Sequence, residues 1–323
     1  MAEIVMRKAL NDALSQEMQR DPNVILLGED IALYGGAFWV TKGLLEKFGP
    51  ERVRDCPISE NGIIGAAVGA AMGGLKPVAE IMFMDFITLA MDPLVNAAAH
   101  LRYAYNIPKV PMVVRAAVGR GWRSGADHSQ SLEAWFCHIP GLKVVMPSGP
   151  YDAKGLLISS IRDESPIIFV EHTQLYRLKG EVPDEPYTIP LGKASVKRPG
   201  KDVTVVATGA MVQESLKAAK ALEAKGIDVE VIDPMTLLPL DIDTIIESVK
   251  KTHKLVVTHE AVEFCGYGAE IVAQVADKAF DYLDMPIKRV AAPFTPIPFS
   301  APLEDAYTPN AEKIGAVIQQ VCG

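Results

Sequence analysis

Three places in the sequence carry side chains whose type and setting suit chemistry. The first is Glu60, in DCPISENGIIGAAVGAAMGG (residues 55–74), where a strand over 52–58 gives way to a helix of small residues. A carboxylate at a helix N-terminus gains about 0.3–1 kcal/mol from the helix dipole, and that alone would account for it. The same position, just beyond the carboxyl end of a strand, is also where open α/β sheets bind ligands. The second is His128, in the glycine-rich polar loop GRGWRSGADHSQ (119–130), flanked by Asp127 and Ser129. Imidazole moves protons most readily near neutral pH, although a solvated loop histidine fits the pattern equally well. The third is EIMFMDF (80–86), a strand end that reads either as core or as an aromatic surface for a flat heterocycle.

Other chemistries are excluded by what is missing. Gly266-Tyr267-Gly268 follows a strand, but Ile271 stands where a dinucleotide fingerprint needs its third glycine. There is no GxxxxGK[ST], no G-x-S-x-G elbow and no HExxH, and the four cysteines form no CxxC pair. A net charge of −8 without a basic run argues against nucleic acid and anionic membranes. The N-terminus has no apolar signal region, so a cytoplasmic protein is expected.

The elements that must hold these residues alternate between β and α periods. Strands are expected near 24–27, 52–58, 77–83, 110–118, 142–145 and 167–171, with helices near 4–20, 41–48, 87–105, 132–138 and 151–162. Segment 180–201 carries Pro183, Pro186, Pro190 and Pro199 without a sustained period and reads as a linker. A second α/β run follows, with strands near 203–207, 228–232, 254–258 and 287–291. The expected architecture is therefore two doubly wound α/β domains, residues 1–185 and 201–323, joined by 186–200. An extended proline-rich stretch (293–302) and a closing helix (310–321) complete the chain. Gly65, Gly69 and Gly73 form one stripe on the helix after Glu60. Each helical glycine costs roughly 1 kcal/mol relative to alanine, which predicts a helix buried against a second one, in this chain or in another subunit.

Together these residues resemble the β subunit of the E1 component of 2-oxo acid dehydrogenase complexes, in the thiamine-diphosphate-dependent, transketolase-like superfamily. The resemblance runs end to end through Gly28-Glu29-Asp30, Pro57-Ile58-Ser59-Glu60 with the glycine stripe, His128-Ser129-Gln130, PGLKVV (140–145), DAKGL (152–156) and Ile161-Arg162-Asp163. Glu171-His172, GEVP (180–183), YTIP (187–190) and TPIPFS (295–300) look most like the acetoin dehydrogenase branch, with pyruvate and branched-chain E1 enzymes close behind.

The resemblance implies a transketolase-like pyrimidine-binding domain and a transketolase C-terminal-like domain. It implies that Glu60 hydrogen-bonds N1′ of the aminopyrimidine and that Phe86 stacks on that ring, with Met82 in the same strand. His128 would handle protons and charge on the carbonyl-derived intermediate or during transfer to lipoamide. Asp127 stands where the family usually has Gln, and would favour the imidazolium. The superfamily's Gly-Asp-Gly motif for Mg2+ and diphosphate is absent, so an E1 α subunit should supply both, in an α2β2 assembly. An E2 acyltransferase with its lipoyl domain is the implied acceptor. A structural potassium ion (K+) would lie at Met112, Ser160, Ile161, Asp163 and Ser165, the last replacing a usual Asn. Two other roles stay open: a non-catalytic scaffold or regulatory subunit, and a sugar-phosphate ketol transferase using Arg120 and Arg123 as a phosphate clamp.

Overall fold

Runs such as VILLG, VVRAAV, IIFVEH and VTVVA are buried along their whole length, as expected of strands covered on both faces of a parallel sheet. Residues 1–323 are described by a computed structural model. In chain order the elements are β1 (Ala2–Val5), α1 (Met6–Arg20), β2 (Val24–Gly28), α2 (Leu44–Phe48), β3 (Val53–Asp55), α3 (Glu60–Met72), β4 (Lys76–Phe83), α4 (Met84–Ile87), α5 (Leu101–Ala104), β5 (Val113–Val118), α6 (Glu133–Cys137), β6 (Lys143–Val145), α7 (Pro150–Arg162), β7 (Ile167–His172) and β8 (Lys179–Val182). Then follow β9 (Ser195–Arg198), β10 (Val203–Ala207), α8 (Ala210–Glu223), β11 (Val229–Asp233), β12 (Thr236–Leu238), α9 (Ile242–Thr252), β13 (Leu255–Val262), α10 (Gly268–Ala279), β14 (Lys288–Ala292), α11 (Ala301–Tyr307) and α12 (Ala311–Cys322). No helix is long and apolar enough to cross a membrane.

The chain divides into two compact units, Met1–Val118 with Trp135–Leu191, and Gly119–Ala134 with Gly192–Gly323. In the first, parallel strands run in the order β6–β7–β5–β4–β2–β3. In the second the order is β14–β13–β10–β11–β9, parallel except for β9 at the edge.

Several expectations need correction. Segment 180–201, where the two units divide between Leu191 and Gly192, also carries strands: β8 pairs antiparallel with β1, and β9 pairs with β11, so backbone hydrogen bonding anchors both of its ends. The stretch 293–302 stays irregular only to Ser300, where α11 begins with Pro302 in its first turn, a position that needs no proline N–H. The long helix around Pro93 is divided into short pieces, with a π-wound turn over Pro93–Ala98. The glycine stripe is not buried within this chain. Ile63, Ile64, Ala67, Val68 and Ala71 form the buried face of α3, while a Cβ on Gly65 or Gly69 would meet no atom within 4 Å.

The Gly266 and Gly268 pair has a packing role. A Cβ at these positions would come within 2.5 and 2.7 Å of the ring of His259, which is 1% exposed in β13. Its Nδ1 lies 3.1 Å from the Ala261 carbonyl oxygen, which can only accept, so Nδ1 carries the proton. Burial holds this imidazole down to a pKa of about 4, against 6.5 when solvated. Between those values the unfolded chain binds the proton and the folded one does not, so stability falls as pH drops through that window. His259→Gln, which does not titrate, should flatten the acid side of the stability profile by up to about 1.4 kcal/mol per pH unit. Urea unfolding at several pH values from neutral to pH ~4 measures this; an unchanged slope would exclude His259 as the cause.

Candidate active site

In the first sheet β2 is followed by β3 on one side, while β4 lies on its other side, so the strand order reverses at β2. Gly28 pairs with Asp55 of β3 and with Glu80 of β4, which sets the loops leaving all three strands along one carboxyl edge. Such reversals open a crevice where α/β sheets take ligands. The edge is tightly knit. Ala32 N donates to Asp55 Oδ1 at 2.7 Å, and Cys56 N donates to the Gly28 carbonyl at 2.8 Å. A Cβ on Gly28 would lie 2.9 Å from the Glu80 carbonyl oxygen, which is the local reason for glycine there.

Glu60 is the first residue of α3, at this edge, and is 7% exposed. Its carboxylate makes no hydrogen bond or ion pair within the chain, unlike most buried polar groups. Burial raises the carboxyl of nearby Glu29, and the charge of Glu60 adds to that rise. A carboxylate so placed is costly unless a ligand completes it, and the helix N-terminus offsets only part of the cost.

Met82 and Phe86 leave the same edge at the end of β4, both half-buried. The Phe86 ring meets Phe83 edge-on (6.2 Å, 89°), Phe83 meets Phe38 likewise (5.5 Å, 77°), and Phe38 stacks on Tyr176 (4.8 Å, 25°). The structure thus brings Glu60, Met82 and Phe86 to one edge of one sheet, a carboxylate together with apolar and aromatic surface. That donor set fits the pyrimidine half of a thiamine cofactor.

Next to these rings lies a charged cluster that the sequence reading missed. Arg115, 2% exposed, donates to Glu171 through Nε (2.6 Å) and Nη2 (2.7 Å), and to Glu80 through Nη1. Tyr176 Oη donates to Glu171 at 2.8 Å. Burial raises the Glu80 carboxyl, and burial with the Glu171 charge holds the Tyr176 phenol well up. The signal was available: Arg115 is the lone charge in VVRAAV, and an ion inside a buried strand requires a partner.

His128 falls elsewhere. It is half-exposed, at the end of a short turn (Gly125–Asp127) in the segment Gly119–Ala134, which packs with the second unit. Arg120 and Arg123 in that segment face Glu260, Glu304 and Asp305, so carboxylates already engage the pair suggested as a phosphate clamp.

The five potassium positions gather at the opposite, amino edge of the first sheet, around the C-terminus of α7 and the starts of β5 and β7. The polar side chains among them are engaged, Ser160 Oγ donating to the Leu156 carbonyl at 2.7 Å. Asp163 accepts from Lys143 Nζ (2.6 Å) and Ser165 N (2.8 Å), and Ser165 Oγ accepts from Arg102 (3.1 Å). The Met112 carbonyl accepts from Ile167 N at 2.9 Å. A cation here would rest on main-chain carbonyls at a helix C-terminus, where the dipole is negative.

Comparisons with known proteins place the chain in a family. The transketolase pyrimidine-binding domain family matches residues 2–179, and the transketolase C-terminal domain family matches 192–314. Acetoin:2,6-dichlorophenolindophenol oxidoreductase subunit beta of Bacillus subtilis is 48% identical over 337 residues, covering 100% of this chain and 98% of that one. The protein of the same name from Cupriavidus necator is 49% identical, covering 98% and 96%. Pyruvate dehydrogenase E1 component subunit beta of Staphylococcus epidermidis is 46% identical, covering 97% of each. Among solved structures, a split-gene transketolase described as an inactive beta4 tetramer superposes with a TM-score of 0.82 at 24% identity, over 99% of each chain, which shows a shared fold.

Removing the cation from the buried cluster leaves two carboxylates without compensation. Arg115→Met should therefore destabilise the protein by about 3–5 kcal/mol, as breaking a buried pair from one side does. Urea unfolding gives the number; a loss under about 1 kcal/mol would mean that water reaches the cluster.

Proposed function

The chain belongs to the E1 β-subunit family of transketolase-like, thiamine-diphosphate-dependent enzymes, and we propose that it serves an E1 component that cleaves acetoin. Pyruvate and branched-chain 2-oxo acids are the alternative substrates. The observation that carries the catalytic reading is the buried carboxylate of Glu60, unpartnered within the chain at the strand-order reversal. Acetoin is placed first because the acetoin-named relatives are 48% and 49% identical, against 44% to 46% for pyruvate-named ones.

Thiamine diphosphate, when bound, supplies a carbon nucleophile able to open a carbon–carbon bond beside a carbonyl. Glu60 would hold a proton against N1′ of its pyrimidine, with Phe86 and Met82 bearing on the ring. His128 would move a proton and balance charge at the substrate-derived oxygen. This chain has no Gly-Asp-Gly, so Mg2+ and the diphosphate would be held by the α subunit. The open Gly65 and Gly69 face of α3 suits close approach of another subunit in an α2β2 assembly, since no side chain there keeps a second backbone away. The aldehyde-level fragment left by cleavage would be oxidised to the acyl level as it passes to the lipoyl disulfide of an E2 acyltransferase, which is reduced in the same step, with E2 docked on the second unit. K+, if bound, would sit on the carbonyls at the end of α7. Four free cysteines suit the reducing cytoplasm.

Glu60→Gln should lower turnover by about 10²-fold or more, with the α/β assembly intact. The measurement uses the chain with its α partner, thiamine diphosphate and Mg2+, with 2,6-dichlorophenolindophenol as electron acceptor. Full activity in the variant would remove Glu60 from the mechanism. Running acetoin, pyruvate and 3-methyl-2-oxobutanoate in parallel decides the substrate: acetoin should give the highest kcat/KM, and a higher value for either oxo acid would overturn the assignment.

A further inference from the structure

The second sheet has a strand-order reversal of its own. β10 is followed by β11 on one side, while β13 lies on the other, so a ligand crevice is expected at the carboxyl ends of β10 and β13. What engages the end of β13 is the chain itself. Glu260, 8% exposed near that end, accepts from the main-chain N of Arg120 at 2.7 Å, with the Arg120 guanidinium 3.9 Å away. Glu304 of α11, 1% exposed, accepts from the guanidinium of Arg123, which also donates to the Ala301 carbonyl at 3.1 Å. Asp305 lies 2.9 Å from Arg123 and 3.7 Å from Arg120.

An apolar contact completes the arrangement. Phe299 lies over Gly125 so closely that a Cβ there would be 2.4 Å from the ring, and the φ of +64° at Gly125 also favours glycine. Two arginines and a glycine between Gly119 and Gly125 are thus gripped by β13, by Phe299 and by α11. His128 lies three residues beyond the last grip. Each contact lies within the second unit.

We propose that the second unit uses its strand-order reversal to seat the loop that carries His128, making Glu260, Phe299, Glu304 and Asp305 positioning residues for that histidine. Two features favour this over a plain surface ion-pair network. Exposed pairs contribute little, but Glu304 is buried, and Arg123 is the cation that meets its charge. The grip also combines main-chain, charge and ring contacts over a few residues, which fixes the course of a loop rather than merely attracting it. The proposal rests on the reading of His128 as the group that handles protons and charge. Loss of the grip should therefore lower kcat and leave KM nearly unchanged.

The test uses the α/β assembly loaded with thiamine diphosphate and Mg2+, and compares Glu304→Gln, Arg123→Met and His128→Asn with the natural chain. Glu304→Gln keeps the shape of the side chain, and Arg123→Met alters a part-exposed residue, so one of them should fold even if the other does not. Both should speed hydrogen exchange in peptides from 119–134 by about tenfold or more, with the strands of the second sheet unaffected. Both should also lower kcat by about tenfold or more with KM within about twofold. Exchanging the charges, Arg123→Glu with Glu304→Arg, should restore part of the loss. Exchange within about twofold of the natural chain in both variants would overturn the proposal, as would faster exchange with unchanged kcat. Unchanged kcat in His128→Asn would remove the role given to His128 and with it the positioning claim, while exchange in 119–134 would still show whether the loop is seated here.

Discussion

The carboxylate of Glu60, 7% exposed at the sheet edge, meets no cation or hydrogen-bond donor within the chain, which leaves its oxygens open to a ligand. Much of the first unit serves to keep it so. β2, β3 and β4 end in register, and Gly28 and Asp55 knit their loops together. The buried apolar face of α3 holds the first turn of that helix at the sheet edge. The helix N-terminus eases the charge without neutralising it, which leaves the oxygen atoms available to a ligand. A strand order without the reversal at β2 would put another strand's loop at this point and close the crevice.

The two units meet the same topological opportunity in different ways. Each is a largely parallel sheet whose order reverses once, and such reversals are where these sheets take ligands at strand carboxyl ends. In the first unit that edge carries an acid without a cation, a thioether and aromatic rings, all suited to a flat heterocycle. In the second, acids from β13 and α11 meet arginines from Gly119–Ala134. Charge explains the contrast. The acids of the second crevice have fixed cations, while Glu60 has none.

The Glu80–Arg115–Glu171 cluster follows the same logic from inside the sheet. Its glutamates and arginine sit on the neighbouring strands β4, β5 and β7, so the parallel register itself brings opposite charges together. Tyr176 extends the cluster to Phe38, and Phe38 to Phe83 and Phe86. Ionic order in the core is thereby linked to the half-exposed ring expected to face the cofactor. The network adds shape where an apolar core of similar size would leave the rings freer to shift.

The sequence by itself determined the α/β alternation, the two-domain plan and the family, because hydrophobic period, strand length and short motifs are local properties of the chain. It also singled out Glu60 beyond a recognisable strand end and, through the family resemblance, Met82 and Phe86 at the end of the next strand. The tertiary structure decided the remainder. Strands β8 and β9 were hidden in a proline-rich segment because their partners are distant: β1 lies at the other end of the first unit, and β11 lies thirty residues or so further on. The glycine stripe suggested burial, but only coordinates could show that nothing in this chain covers it. Arg120 and Arg123 read as free cations until α11 and β13 supplied the acids that face them. Charges separated by well over a hundred residues leave no trace in spacing, because their pairing is a property of where the sheets reverse and not of the chain between them.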